Sequence, residues 1–271
     1  MRKNPNNDII IGDNFGGAVW PLETISYRVN RANAFNPIEI SGRYFGTGFL
    51  FERKVGPYRR HFLVSNKHFF VDDNPFCLML RLSKDKKFPK GSTYRLYPTE
   101  SEYSTKDPLY AVVHAHWDED IDLAVIDVTD KLREMKVQLQ YRNFQPEPLS
   151  VKMIPYGRQW DISRETPCAY LGYPAGSQTA IPQRGRLVEN PGKSQTHNIQ
   201  LSDAHIAQGS SGSPAFVKID DRTTKLLGII WGTEPVEMAN GQTEFINGFA
   251  LKVTALIELT DAVLRQQGLL K

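Results

Sequence analysis

Short apolar runs punctuated by turn signals recur along this chain. That rhythm limits it to folds built from many short strands. Thr24 to Asn30 alternates apolar and polar residues, as a half-buried strand does. Tyr44 to Phe51 is an aromatic run broken by Gly46 and Gly48, and glycine inside a strand marks a bulge, a bend or a close backbone approach. Val55 to Arg60 reads as a turn, and His61 to Ser65 returns as the hairpin partner. Phe76 to Leu82, Thr93 to Tyr97, Tyr110 to His116 and Leu123 to Val128 follow, separated by turns such as Asp72-Asp73-Asn74-Pro75 and Lys106-Asp107-Pro108. Beyond a polar segment carrying Pro146, Pro148 and Pro155, a second set begins at Cys168 to Pro174. It continues with Gly185 to Glu189, His197 to Leu201, Ser213 to Ile219, Leu226 to Gly232 and Phe245 to Val253. Helix is expected near Thr129 to Met135 and from Thr254 to Gln267. In the latter, Leu256, Ile257, Leu259, Ala262, Val263 and Leu264 keep a helical period and Gly268 stops it. The expected organisation is an N-terminal arm over 1–40, a first β unit over 41–135, a linker over 136–165, a second β unit over 166–253 and a C-terminal helix over 254–271.

Composition narrows the partners. With 271 residues, 40% hydrophobic and 23% charged, the chain suits a globular protein with a sizeable core. A formal net charge of +3 is too small to argue for nucleic acid. The one dense basic group, Lys84, Lys86, Lys87 and Lys90 around Asp85, reads as a solvated loop. Cys77 and Cys168 both lie among apolar neighbours and read as buried reduced thiols rather than a disulfide framework. The first eight residues are polar and contain no apolar signal core, and no stretch approaches membrane-spanning length. A cytoplasmic location with no membrane partner is the expectation.

Small residues fill five consecutive positions in Gly209-Ser210-Ser211-Gly212-Ser213, followed by Pro214. Such a run is either a plain turn or a place where backbone must come close to something else. A serine on a tight turn with free N–H groups beside it is the nucleophile and oxyanion half of a serine hydrolase. That reading requires a base and a carboxylate to orient it. Of the histidines, His68 stands at a strand end between Asn66 and Phe69-Phe70, a rigid mount for a general base. Asp122 starts an apolar strand, whereas Asp118, Glu119 and Asp120 read as a solvated turn. His114 and His116 sit two apart on one strand and could chelate a metal, but no third ligand is evident, so neither metal nor cofactor is expected.

His68, Asp122 and Ser211 fall in that chain order, the first two on the first β unit and the third on the second. This order resembles that of the chymotrypsin-fold (trypsin-like) serine proteases. Gly46-Thr47-Gly48-Phe49-Leu50 resembles the strand before the histidine. Leu63-Val64-Ser65-Asn66-Lys67-His68 resembles the histidine motif of the bacterial HtrA-like and trypsin-like peptidase branches. Asp120-Ile121-Asp122-Leu123-Ala124-Val125 is similar to the aspartate motif, and Gly209 to Pro214 to the nucleophile motif. Gly228-Ile229-Ile230-Trp231-Gly232 resembles the substrate-binding strand, and Asn247-Gly248-Phe249-Ala250 a pocket wall. The resemblance covers about residues 40–265, and no appended PDZ domain is expected.

The resemblance implies an all-β protein of two six-stranded antiparallel Greek-key β-barrels with a C-terminal α-helix. It implies a serine endopeptidase acting on a protein or peptide substrate through an acyl-enzyme. Ser211 is then the nucleophile, His68 the base, Asp122 its orienter, and the amides of Gly209 and Ser211 the oxyanion hole. Substrate contact falls to His205, Ile206, Trp231, Gly232 and Gly248. Two departures stand out. Ser210 occupies the place of the acidic residue that pairs with a new N-terminus in secreted members, so activation of that kind is not expected, which leaves constitutive activity, or gating by loop ordering or a regulatory partner chain. His205 occupies the place of the aspartate that selects basic residues, which leaves three specificities open: Glu or Gln recognised by His205, an apolar pocket with His205 turned away, or a basic preference set by Asp203. By analogy, a stand-alone protease of this branch would cleave a dedicated partner in a bacterial stress or anti-phage system. The alternatives are a catalytically silent binding module on the same fold, or a cysteine relative, which the absence of a comparable motif at Cys77 or Cys168 disfavours.

Overall fold

The computed structural model describes residues 18–29, 38–71, 77–81, 93–97, 112–138, 147–174, 177, 179–204, 206–220, 223–237 and 243–271. The Lys84 to Lys90 group lies outside the described residues.

The first sheet is organised on two long strands, β1 (Val19–Val29) and β2 (Ile38–Val55). They run antiparallel from Val19 opposite Phe49 to Val29 opposite Ile38, with a register shift between Ser26 and Tyr27. β1 starts earlier than its alternating pattern suggests, because Val19, Trp20 and Leu22 are buried. It therefore belongs to the sheet, although the sequence reading set residues 1–40 apart as an arm. β2 continues through a turn at Gly56 into β3 (Tyr58–Ser65), the expected hairpin. β4 (Cys77–Arg81) and β5 (Thr93–Tyr97) add beyond β1. β6 (Val113–Ala115) and β7 (Ala124–Asp127) add beyond β3. The path reads β5-β4-β1-β2-β3-β7-β6 and does not close among the described residues. A two-residue strand of the linker, β8 (Leu149–Ser150), pairs parallel with β2 and brings the seven strands of this path to eight. One helical turn, α1 (Lys67–Val71), leaves the end of β3, and α2 (Thr129–Gln138) leaves β7. α2 is three residues longer than expected and is started by Asp127, whose Oδ1 accepts from the Thr129 amide at 3.0 Å and hydroxyl at 2.6 Å.

The second sheet closes into a six-stranded antiparallel barrel. Its strands are β9 (Pro167–Gly172), β10 (Ile181–Leu187), β11 (Asn198–Ser202), β12 (Pro214–Lys218), β13 (Thr224–Glu237) and β14 (Thr243–Lys252). The order β10-β11-β14-β13-β12-β9 brings β12 back beside β9 after three consecutive neighbours, the Greek-key arrangement. The chain between β11 and β12 has to cross the barrel end to do this, and it carries Gly209 to Ser213.

α3 (Val253–Gln266) follows β14 directly and buries Val253, Ala255, Leu256, Leu259, Val263 and Leu264. These residues join one apolar cluster with Phe49, Phe51, Val64 and Leu123 of the first sheet and Leu171, Phe216, Ile229 and Leu251 of the barrel. The main core thus lies between the two sheets. A second cluster, with Tyr170, Leu187, Leu201, Val217 and Ile230, fills the barrel. Cys168 is a free thiol within it, and burial pushes its pKa up to about 12, as a structural cysteine requires.

Candidate active site

α1 exists because of a residue 54 positions later. The first N–H groups of a helix have no partner within it. The His68 amide finds one in Asp122 Oδ1 at 2.9 Å. The other oxygen of the same carboxylate, Oδ2, receives His68 Nδ1 at 2.5 Å. Asp122 is held in turn by Asn66, whose Nδ2 donates to the Asp122 carbonyl at 2.9 Å. One carboxylate thus grips both backbone and ring of one histidine, which fixes the imidazole and turns Nε2 away from Asp122. The His68 ring is 41% exposed and the Asp122 side chain 23%, so the pair is reachable from solvent without being washed by it. The next two residues of α1, Phe69 and Phe70, are both buried and make edge contact with each other at 5.3 Å.

The turn before β12 is shaped by two glycines in the left-handed region, Gly209 at φ 89 and Gly212 at φ 87. A side chain at Gly212 would lie 1.9 Å from the Thr47 carbonyl oxygen and 2.3 Å from Ser65 Oγ, so the turn is pressed against β2 and the end of β3. Hydrogen bonds fix it: Ser210 N to Ala207 O at 3.0 Å, Gly212 N to Ile230 O at 2.8 Å and Ser213 N to Ser210 O at 3.1 Å. The amides of Gly209 and Ser211 donate to nothing among the described residues. Ser211 is half-buried, whereas its neighbours Ser210 and Ser213 are wholly buried. The turn therefore exposes one hydroxyl next to two unused N–H groups. Ser65, against which it rests, stands three residues before His68.

Residues 46–229, more than half of the chain, match the trypsin-like peptidase domain. The chain belongs to that family. No curated protein sequence matches it. Among solved structures, this trypsin-like peptidase domain is similar to the inactive form of Rv3671c from M. tuberculosis H37Rv, a serine mutant, at 13% identity and TM-score 0.50 over 98% of this chain and 97% of that one. The active form of the Rv3671c protease gives 13% identity and TM-score 0.49 over 96% and 90%. The likeness speaks to the fold, a chymotrypsin-type pair of β units with a following helix.

The expected specificity residues are placed unevenly. His205 lies outside the described residues. Ile206 packs on Gly248, where an added methyl would meet its Cδ1 at 2.3 Å. Trp231 stands at the register shift of β13 and tilts against Phe249 at 5.6 Å, while an added methyl at Gly232 would meet nothing within 4 Å. Asp203 is exposed, with φ 54. His114 is half-buried, and His116 Nδ1 accepts from the Asp118 amide at 3.1 Å. Among the described residues no group of three or more His, Cys, Asp or Glu is placed to hold a metal ion, and no helix is long and apolar enough to cross a membrane. Sequence reasoning passed over Thr47 and Ser65. The available signal was Thr47 flanked by glycines on both sides, which betrays a close approach but not to what.

Proposed function

We propose that this protein is a serine endopeptidase in which Ser211, His68 and Asp122 form the catalytic triad. The observation that carries the reading is the double grip of the Asp122 carboxylate on the ring Nδ1 and the backbone amide of His68. An imidazole held through Nδ1–H offers Nε2 as the base and can carry the proton that Nε2 takes up. In this mechanism Ser211 Oγ attacks the scissile carbonyl carbon while His68 Nε2 removes its proton. The carbonyl oxygen becomes an oxyanion, and the amides of Gly209 and Ser211 are the donors that receive it. His68 then returns the proton to the leaving amine, which departs and leaves an acyl ester on Ser211. Water, deprotonated by His68, hydrolyses that ester.

We assign substrate contact to Ile206, Trp231, Gly232 and Gly248, and on the sequence resemblance also to His205. Ile206 against Gly248 supports the apolar specificity among the three left open by the sequence. Ser210 is buried and carries no charge, which supports control by a partner chain over activation through a new N-terminal amine. A dedicated protein substrate in a bacterial stress or anti-phage setting is the corresponding biological reading. The buried free thiol of Cys168 supports a reducing compartment such as the cytoplasm.

The test is labelling by a fluorophosphonate combined with cleavage of an unbiased peptide library. Wild type is expected to be labelled at Ser211, and Ser211→Ala to keep its fold, lose labelling and lose about three to six orders of magnitude in turnover. A folded wild type that takes no label and cleaves nothing would instead make the chain a binding module. Strong cleavage after Arg or Lys would overturn the apolar pocket.

A further inference from the structure

Thr47 of β2 uses every polar group it has. Its amide donates to the Ser211 carbonyl at 3.0 Å. Its hydroxyl donates to the Gly209 carbonyl at 2.8 Å and accepts from the Tyr173 amide at 2.8 Å. Its carbonyl accepts from Ser65 Oγ at 2.7 Å. The residue is 0% exposed, so none of these bonds has water as a substitute. One threonine of the first sheet thereby joins the strand leading to His68, the strand end at Tyr173 in the barrel, and two carbonyls of the Ser211 turn.

A trans peptide unit carries its C=O and N–H on opposite sides, so fixing one fixes the other. Units 209–210 and 211–212 are held at both ends, by Thr47 at the carbonyl and by Ala207 and Ile230 at the N–H. The unit between them is held at its carbonyl by the Ser213 amide. Of the two amides left over, that of Ser211 is aimed by the restraint on its own unit, and that of Gly209 lies one residue's backbone rotations from the held unit 209–210. Gly209 is the weak point, since its left-handed φ of 89 sits in a range that glycine leaves freely. Of the bonds that hold its peptide, only the one from Thr47 is made by a side chain.

We infer that the Thr47 hydroxyl is a positioning residue for the oxyanion-binding amides, acting on them through the Gly209 carbonyl. Losing it leaves unit 209–210 held only through the Ser210 amide on Ala207 and leaves the Tyr173 amide without its acceptor. The expected signature is a loss in the chemical step and not in substrate binding. The inference rests on Ser211 being the nucleophile.

The experiment compares wild type, Thr47→Val and Thr47→Ser. It measures the second-order rate of fluorophosphonate labelling, kcat and KM on one peptide from the library, the pH profile of kcat/KM, and the folded fraction by circular dichroism. Thr47→Val is expected to lower kcat and the labelling rate per folded molecule by about 10- to 100-fold, with KM within about two-fold and the pH profile unmoved. Thr47→Ser, which keeps the hydroxyl, is expected to stay within about three-fold of wild type. Should Thr47→Val not fold, Thr47→Cys keeps the volume with a weak donor and is expected to fall below Thr47→Ser. A folded Thr47→Val or Thr47→Cys with wild-type labelling and kcat overturns the role of the hydroxyl while leaving Ser211 in place. Equal losses in the serine and valine variants overturn it too, because serine keeps the hydroxyl and the loss would then not follow that group. Absence of labelling in wild type itself overturns the reading of Ser211, and the inference falls with it.

Discussion

Gly212 shows how little freedom the site residues have. Its φ of 87 already disfavours any side chain, and the atom that a Cβ would strike at 1.9 Å is a backbone carbonyl, which has nowhere to go. Gly212→Ala is expected to cost more than about 3 kcal/mol in urea unfolding, or to prevent folding. Gly232→Ala, where an added methyl meets nothing within 4 Å, is expected to stay within about 0.5 kcal/mol. Similar losses for both substitutions would mean that the turn is not pressed on β2 as described. Ser211, Gly209, His68 and Asp122 stand out as candidates along the chain because each sits in a local context that the proposed chemistry requires: a small-residue run, a strand end, the start of an apolar strand. Thr47 could not be read that way. Its hydroxyl partners lie 126 and 162 positions away, and threonine in a strand is unremarkable by itself.

At the scale of elements, the same contrast recurs. The hairpin of β2 and β3, the barrel strands and α3 follow from alternation, turn residues and helical period. α1 does not, since a single turn has no propensity worth reading and here depends on a carboxylate supplied by the loop before β7. β8 is equally opaque, because two residues leave no pattern. The placement of α3 against the first sheet was also beyond local reading. It depends on Arg53 of β2, which donates to Thr260 Oγ1 at 2.5 Å and to the Asp261 carboxylate. The two charged side chains are 12% and 24% exposed, so water screens the pair only in part. Arg53→Ala is expected to destabilise the fold by about 2 kcal/mol. A double-mutant cycle with Asp261→Ala should return a coupling of about 1 kcal/mol, and a coupling within about 0.3 kcal/mol of zero would remove this contact from the account.

For the molecule as a whole, histidine burial sets a pH dependence. Burial lowers the pKa of His61, His114 and His116 from the ordinary 6.5. For His61 the carboxylates of Glu52 and Asp127 oppose this in part, while Arg59 and Arg133 add to it; for His114 only Asp127 opposes it. His116 is stacked on Trp117 at 4.2 Å and faces Glu258 at 3.8 Å, Asp118 and His197, so its nearby carboxylates offset burial only in part. All three are neutral in the folded protein at a pH where the unfolded chain already holds the proton. Unfolding therefore takes up protons, and stability is complete above about 6.5 and declines as the pH falls toward the folded values. The melting temperature is expected to drop by a few degrees between pH 7.5 and pH 5.5. The drop should be smaller in His116→Asn, and a melting temperature that rose on acidification would contradict the assignment.

The apolar cluster between the two sheets carries a consequence for how the protein is made. Its residues come from β1, β2, β3, β7, β8, β9, β12, β13, β14 and α3, and α3 is the last of these to be synthesised. The first sheet, although complete in sequence long before, cannot finish burying its inner face until the barrel and α3 arrive. The Ser211 turn meanwhile has to wait for Thr47 to be held in a finished β2. A nascent chain thus emerges with this core open and the Ser211 turn unset, and the order of synthesis makes completion of the core a late event.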